Sequence, residues 1–291
     1  MNRAIEQITT ECLTPDFWEH AWREFQRESI LKSTQQIHPD RWRRFYDETA
    51  GLWDQITGHG PDAAEAALRA LDTQHHLEPD MTALEIGCGP GNLAMALAAR
   101  GVKVTAMDDS AGMTSILRSR MQSQGTNNIK IVEAKWEDSP PAAEHDLVMA
   151  AFFPQAMTPA GIQRMESGAR QTCALVVGAG QETFPLRREI WRKIMPDPLP
   201  KINFHLPCAM AYLLTSGRNP NLQHFNWQAS LCMPSDAVVD YFQAYLAIFD
   251  KQGHEVREAI EAVVSTYAKD GVLKIEAEAS AALIHWHPHR A

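Results

Sequence analysis

The sequence predicts an α/β protein with a mostly parallel sheet, and two observations support this prediction. From about residue 81, short apolar runs alternate with segments of helical periodicity. Within them, the stretch TALEIGCGPGNLAMALAARGVKVTAMDDS (82–110) places a strand, a glycine-rich loop, a helix and a second strand in that order. Because parallel strands need long crossover connections, this alternation favours one Rossmann-like sheet with helices on both faces.

The individual elements follow from the same periodicities. Apolar runs predict strands at 82–86, 103–107, 129–133, 146–152 and 173–178. Helical spacing predicts helices at roughly 91–100, 111–123 and 158–169. Later in the chain, two strand patterns at 222–232 and 272–287 flank helical patterns at 235–249 and 254–268. Late strands separated by a helical excursion favour an antiparallel hairpin at one edge of the sheet.

Two other segments do not follow this alternation. Residues 1–60 carry aromatic side chains at spacings of three, four and seven, which predicts a helical cap docked on the main domain at 61–291. The segment near 181–220 is rich in proline and too long for a plain connection. Long inserted connections often form lids or substrate walls, so we expect this insertion to cover the substrate.

Composition narrows the classes of partner. The 291-residue chain has a formal net charge of -9, which argues against a protein built to neutralise nucleic-acid phosphates. Its five cysteines are dispersed and contain no C-x-x-C pair, which indicates reduced thiols. No signal peptide or long uncharged apolar run is visible. We therefore expect a cytoplasmic protein without nucleic-acid or membrane partners, and leave a homodimer open.

The glycine loop EIGCGPG (85–91) indicates a site where the backbone approaches a ligand closely. Counted from Gly87, a strict dinucleotide pattern requires a glycine where the chain has Asn92. Counted from Gly89, the looser pattern ending in alanine is met at Ala94, so a nicotinamide cofactor stays open. No Lys-Ser/Thr pair follows the loop, and a nucleoside triphosphate is therefore disfavoured.

The loop with its following residue, EIGCGPGN, resembles the first motif of class I S-adenosylmethionine-dependent methyltransferases. In that family the loop wraps the methionine portion of the cofactor, and an acidic residue ending the second strand binds both ribose hydroxyls. The resemblance implies S-adenosyl-L-methionine as cofactor, with Asp108 of VTAMDDSAGM on the ribose. A carboxylate offers acceptors to two adjacent hydroxyls. The other implied contacts in this region are Glu85, Gly87, Cys88, Gly89, Gly91 and Asp109, the last of which is also a candidate helix cap.

The segment IVEAKWEDSPP (131–141) corresponds to the family's adenine-binding element. The family usually has an acidic residue here, whereas this chain has Lys135 at the aligned position. The resemblance then implies that Trp136 covers the adenine face and that Glu137 or Asp138 accepts from the adenine amine.

A further resemblance precedes the sheet. The segment RFYDETAGLWD (44–54) resembles the opening of small-molecule methyltransferases in the quinone-biosynthesis-like branch, where it folds over the cofactor site. Tyr46 in this segment is therefore a candidate for cofactor or acceptor contact. HDLVMAAFF (145–153) resembles the family's fourth strand, and the whole resemblance runs from Tyr46 to Gly180.

The predicted reaction is methyl transfer to a small-molecule acceptor, mainly by proximity and alignment. Because the sulfonium is already an activated donor, no motif need identify a catalytic residue. His59, His205 and Tyr46 are the candidates, the histidines because they titrate near neutral pH. The alternatives are a protein or RNA methyltransferase and a non-catalytic protein that binds S-adenosylmethionine.

The closing HWHPHR contains His285, His287 and His289 at alternating positions. Their side chains share a face only if the strand continues through Pro288, and no clustered cysteine or carboxylate completes a ligand set. We therefore expect no metal site.

Overall fold

The computed structural model describes residues 10–73, 77–139, 144–178, 182–197 and 204–289. Its helices are α1 (Pro15–Glu28), α2 (Ile30–Ile37), α3 (Pro39–Thr49), α4 (Trp53–Thr57), α5 (Pro61–Asp72), α6 (Asn92–Ala99), α7 (Ala111–Gln124), α8 (Pro159–Gly168), α9 (Leu186–Ile194), α10 (His205–Thr215), α11 (Ser235–Ala247) and α12 (His254–Tyr267). Its strands are β1 (Thr82–Ile86), β2 (Lys103–Asp108), β3 (Ile129–Glu133), β4 (His145–Ala151), β5 (Ala169–Gly178), β6 (Asn221–Pro234), β7 (Ala268–Lys269) and β8 (Val272–Trp286). Two 3-10 turns lie at Ala50–Leu52 and Trp136–Asp138.

One sheet organises these elements in the order β3-β2-β1-β4-β5-β8-β6, with β7 paired to β8. The first five strands pair in parallel, and β8 runs antiparallel to both β5 and β6. The predicted parallel sheet with an antiparallel edge is therefore confirmed. One boundary was wrong: β5 begins at Ala169 and not near residue 173, because the chain becomes extended directly after α8.

Buried side chains pack on both faces of the sheet. Along β4, Leu147 and Met149 belong to one core, while Val148 and Ala150 belong to the other. This alternation follows from the period of two along a strand. Helices α5, α6, α9, α11 and α12 cover the first face, and α1, α8 and α10 cover the second. Both faces are therefore buried, as a parallel sheet requires.

The N-terminal helices dock on the sheet domain through a side-chain cap. Asp47 of α3 accepts hydrogen bonds from the Ser110 hydroxyl at 2.7 Å and from the Gly112 backbone N–H at 3.0 Å. Both donors lie at the start of α7, where backbone N–H groups lack partners within the helix. A Cβ at Gly112 would lie 2.5 Å from the Asp47 carbonyl oxygen, so only glycine permits this approach.

The β6–β8 hairpin extends beyond the rest of the sheet. The two strands pair from Asn221–His285 to Pro234–Val272, whereas β5 pairs only with 281–286 of β8. The other residues of the hairpin therefore project past the carboxyl end of β5. From this extension, the Trp227 indole donates to the Gly58 carbonyl at 2.7 Å and joins the hairpin to the N-terminal segment.

The insertion near 181–220 divides into two parts. Phe184 packs against the Gly58 backbone, and α9 packs on α12. The second part, α10, packs instead against α1, in the core on the other face of the sheet. Residues 179–181 and 198–203 of the insertion lie outside the described residues. No described helix is both long enough and apolar enough to cross a membrane.

We expect Gly112→Ala to destabilise the protein by about 1–3 kcal/mol, because the added methyl group overlaps the Asp47 backbone. Urea unfolding measures this change in the free energy of unfolding. Gly51→Ala is the control, since a Cβ at Gly51 meets no atom within 4 Å. Equal stability of the two variants would contradict the docking of α3 on α7.

Candidate cofactor-binding site

A cavity of about 200 Å³ lies at the carboxyl ends of β1, β2 and β4. Its floor includes Glu85, Asp108 and Phe152, and the N-terminal helices form its roof. The roof residues are Gln35, Pro39, Trp42, Arg43, Tyr46, Trp53 and His59. A crevice at the carboxyl ends of parallel strands is where open α/β sheets bind ligands.

A second, smaller cavity adjoins the first. The two share Gly87, Asp108, Asp109, Phe153 and Gln155 in their walls. The smaller one continues toward the 3-10 turn at 136–138, and Trp136 and Glu137 line it. An elongated ligand can therefore lie along the residues that line both cavities, with one end in each cavity.

Two positions of the glycine loop require glycine, each because of a different neighbouring side chain. Gly87 has φ +66°, and a Cβ there would overlap the Phe153 ring at the cavity wall. Gly91 has φ +84° and lines neither cavity; a Cβ there would overlap Leu117 of α7. Gly91 therefore serves the packing of the loop on α7, and its expected cofactor contact stays a prediction.

Asp108 ends β2, as its predicted position in the strand requires. One carboxylate oxygen accepts from the Gly89 N–H at 2.8 Å, and the other accepts from the Ser110 N–H at 3.0 Å. Burial raises the pKa of Asp108 to about 6, while these two hydrogen bonds oppose the rise. The carboxylate is therefore held at a defined place between the glycine loop and α7.

Asp109 is not the cap of α7. Ser110 holds that position, since its hydroxyl accepts from the Met113 N–H at 3.2 Å. Asp109 lines both cavities and stays exposed. Partial burial raises its pKa, and the charges of Arg43 and Lys135 oppose that rise.

Glu85 is a buried acid beneath the glycine loop, with 2% of its surface exposed. Burial, and next the nearby charge of Asp108, raise its pKa well above the usual range. One of its oxygens, Oε2, has no hydrogen-bond partner among the described residues. Cys88 lies beside it, and burial raises the pKa of this thiol as well. A buried acceptor without a partner is costly unless a ligand supplies a donor.

The smaller cavity ends at Trp136, which is buried. The Arg164 guanidinium lies 5.4 Å from the centre of the Trp136 ring. It also donates to the carbonyl oxygens of Trp136 at 2.7 Å and Glu137 at 3.0 Å. The Phe153 ring contacts Trp136 with 6.2 Å between ring centres. The 3-10 turn is thus held in place, with Glu137 exposed at the rim.

The three candidate catalytic residues do not all lie at the same site. Tyr46 and His59 line the main cavity. Burial, then the charge of Asp108, raise the pKa of Tyr46. His205 lines neither cavity, and its Nδ1 accepts from the Trp22 indole at 3.2 Å. It belongs to the contact of α10 with α1, and burial lowers its pKa to about 3.

Three residues that sequence reasoning missed hold the roof on the glycine loop. Arg120 of α7 pairs with Asp54 at 2.6 Å and donates to the Asn92 side chain at 2.7 Å. The Asn92 amide donates in turn to Asp54 at 2.7 Å. Asp54 ends the segment RFYDETAGLWD and Asn92 follows the glycine loop, so both lie in motifs that could have indicated a role at this site. Arg120 lies in no such motif, because nothing in the sequence of its helix indicates its distant partners.

The C-terminal histidines do not assemble. His285 is buried within β8, whereas His287 is exposed and its Nδ1 lies 2.8 Å from the Gln171 carbonyl oxygen. Across the residues that the structure describes, no three His, Cys, Asp or Glu side chains are grouped to hold a metal ion.

Comparison with known proteins agrees with this geometry. Residues 83–172 match the family model described as a methyltransferase domain. This part of the chain, which includes the glycine loop and Asp108, is therefore similar to a methyltransferase domain over somewhat less than a third of the 291 residues.

Individual relatives are distant. An uncharacterised protein of Haemophilus influenzae is 27% identical over 128 residues, which are 44% of this chain and 45% of that protein. A methyltransferase of Geobacter sulfurreducens in complex with S-adenosyl-L-homocysteine is 15% identical, with a TM-score of 0.49 over 79% of this chain and 93% of that one. Magnesium protoporphyrin IX methyltransferase of Synechocystis is 19% identical, with a TM-score of 0.47 over 67% and 91%.

We expect Asp54→Asn to lower the free energy of unfolding by about 1.5–3 kcal/mol, because its partly buried carboxylate accepts from Arg120 and Asn92. Urea unfolding of this variant, of Arg120→Met and of the double variant gives their coupling energy. Asp40→Asn is the control, since its pair with Arg43 is exposed and should contribute about 0–1 kcal/mol. Additive losses in the double variant would contradict the link.

Proposed function

We propose that this protein transfers a methyl group from S-adenosyl-L-methionine to a small-molecule acceptor. The observation that carries the proposal is the pair of joined cavities, which meet at Gly87 and Asp108. They lie inside the methyltransferase domain at 83–172, and the roof over them comes from residues outside it.

In this proposal, the cofactor lies along the residues that line both cavities. Each Asp108 oxygen retains a lone pair beyond its bond to the backbone, and two adjacent ribose hydroxyls would donate to them. The adenine would lie beside Trp136, in the smaller cavity. The methionine ammonium would supply the donor that Glu85 lacks, and its charge would favour the ionised form of that buried acid.

The aromatic residues that cover the main cavity favour a small acceptor over a macromolecule. Trp42, Tyr46 and Trp53 lie over the main cavity, and the ring centre of Tyr46 is 5.9 Å from that of Trp42 and 5.4 Å from that of Trp53. A protein or RNA strand would have to displace them to reach the methyl group. The net charge of -9 also disfavours RNA, and the resemblance of residues 44–54 to small-molecule methyltransferases points the same way.

Transfer then depends mainly on alignment. The acceptor atom must lie in line with the methyl–sulfur bond, and water must be kept out. Positioning of this kind contributes on the order of 7–11 kcal/mol to lowering the barrier. The Asp54–Arg120–Asn92 link would hold the roof against the loop during this step.

Asp108→Ala should weaken the binding of S-adenosylhomocysteine about ten- to a hundredfold, because hydrogen bonds to a charged group contribute roughly 1.5–3 kcal/mol. Asp108→Asn should retain part of the affinity, having one acceptor oxygen. Calorimetry measures the dissociation constants. Asp72→Ala is the matched control and should change little, since Asp72 is exposed and lines neither cavity. Asp109→Ala tests the neighbouring carboxylate, which lines both cavities. Sensitivity at Asp109 with indifference at Asp108 would contradict the assignment.

The same binding should depend on pH. The pKa of Asp108 is raised to about 6, and the ionised carboxylate is the form that accepts from two hydroxyls. Affinity should therefore rise as pH increases from 5 to 7 and then level off. Asp108→Asn has no such ionisation, so the rise attributable to this residue should vanish in that variant.

Transfer itself is tested with S-adenosylmethionine labelled in its methyl group. Incubation with the small-molecule fraction of a cell extract should give labelled products, and the protein and RNA fractions should stay unlabelled. Label in either macromolecular fraction would favour the corresponding alternative. Cofactor binding without label in any fraction would favour a non-catalytic protein.

A further inference from the structure

His59 sits on a loop that is held from two sides. The Gly58 carbonyl accepts from the Trp227 indole at 2.7 Å, and the His59 carbonyl accepts from the Asn92 side chain at 3.1 Å. Gly58 has φ +71°, and a Cβ there would lie 2.7 Å from Cγ2 of Thr183. The backbone that carries the imidazole is therefore fixed by the hairpin, the insertion and the start of α6.

The ring of His59 is fixed as well. It stacks on Phe152 with 3.9 Å between ring centres and 5° between ring planes. Phe152 itself has φ +52°, a conformation that is uncommon for a bulky residue, and its N–H donates to the Val176 carbonyl at 2.9 Å. Strained backbone of this kind persists where the surrounding structure enforces it, often beside functional sites.

The ring nitrogens of His59 are available to a ligand. The side chain lines the main cavity, and its nitrogens form no hydrogen bond with the described residues. Burial, and then the charge of Arg187, lower the pKa of His59 to about 4. The imidazole is therefore neutral at physiological pH, with one nitrogen able to accept a hydrogen bond.

Much of the lining of this cavity is apolar. Ala63, Ala64, Ala67, Ala151 and Val176 line it together with Phe152, while Asn92 contributes an amide and the charge of Arg187 acts from outside the lining. A molecule bound here would be mostly apolar or aromatic. It would need a single donor to satisfy the imidazole, because a buried acceptor without a partner lowers affinity.

Building on the proposed function, we propose that His59 binds the methyl acceptor directly, and that this acceptor is a small aromatic molecule whose reacting oxygen or nitrogen carries a proton. The donor nitrogen or oxygen gives its hydrogen bond to the imidazole, which directs a lone pair of the same atom toward the methyl group. His59 thus selects a protic nucleophile over an ether or a tertiary amine.

The transfer step balances with His59 as the proton acceptor. A lone pair on the acceptor oxygen or nitrogen attacks the methyl carbon, and the carbon–sulfur bond breaks toward sulfur, leaving the thioether. An attacking hydroxyl oxygen becomes strongly acidic as it gives up its lone pair, and the nitrogen of an aromatic amine becomes moderately acidic, so a weakly basic imidazole suffices to take the proton. The imidazolium then releases that proton to solvent.

Phenol and anisole are matched probes, since they differ in the O–H that His59 would accept from. The ¹⁵N signals of the histidine rings are recorded for the full-length protein saturated with S-adenosylhomocysteine, and His59 is assigned from the spectrum of His59→Phe. Phenol should move the His59 acceptor nitrogen, and anisole should not. Phenol should also bind about tenfold more weakly to His59→Phe, with anisole unchanged.

Two variants separate the hydrogen bond from the packing. His59→Phe keeps a ring on Phe152, and His59→Gln keeps an acceptor oxygen, so the second should recover part of the phenol affinity. His224→Phe, an exposed site outside the cavities, is the control and should behave as the unmodified protein. Equal responses to phenol and anisole, no response to either, or a full shift by S-adenosylhomocysteine alone would overturn the proposal. Failure of S-adenosylhomocysteine to bind would instead overturn the proposed function.

Discussion

The carboxylate of Asp108 connects the elements on which the site depends. It lies at the end of β2, and its two oxygens accept backbone N–H groups from the glycine loop and from the start of α7. The loop can adopt this path because Gly87 and Gly89 have positive φ, and it can approach α7 because Gly91 has no Cβ. One partly buried carboxylate therefore joins the glycine loop to the start of α7, and desolvation raises its pKa to about 6.

A second set of charges attaches the roof. Asp47 satisfies donors at the start of α7, and Asp54 pairs with Arg120 in the middle of the same helix. These contacts lie on one side of the cavity, and Trp227 holds the other side through Gly58. The N-terminal helices are thus positioned by polar contacts from two separate parts of the chain, α7 and β6. The aromatic residues that they carry can then pack over the cavity.

The polar groups inside the cavity occupy different regions. Glu85 and Asp108 lie on the floor beside the glycine loop, where they suit a ligand with positive charge and adjacent hydroxyls. His59 lies against Phe152, with alanine side chains and Val176 nearby. A charged, hydroxyl-rich molecule and an apolar one can therefore occupy the same cavity side by side. This division is the chemical basis for the proposal that the two regions bind cofactor and acceptor.

The sequence by itself determined the local features of this protein. The alternation of apolar runs placed β1–β5, and the spacing from Glu85 to Asp108 located the loop and the strand-end carboxylate, because such patterns depend on neighbouring residues. Contacts between residues far apart in the chain were decided by the tertiary structure alone. Arg120 carries no motif, His205 and His59 looked alike as loop histidines, and Gly91 looked like a ligand contact. Their roles depend on which distant elements pack against them, and periodicity within a segment carries no information about that packing.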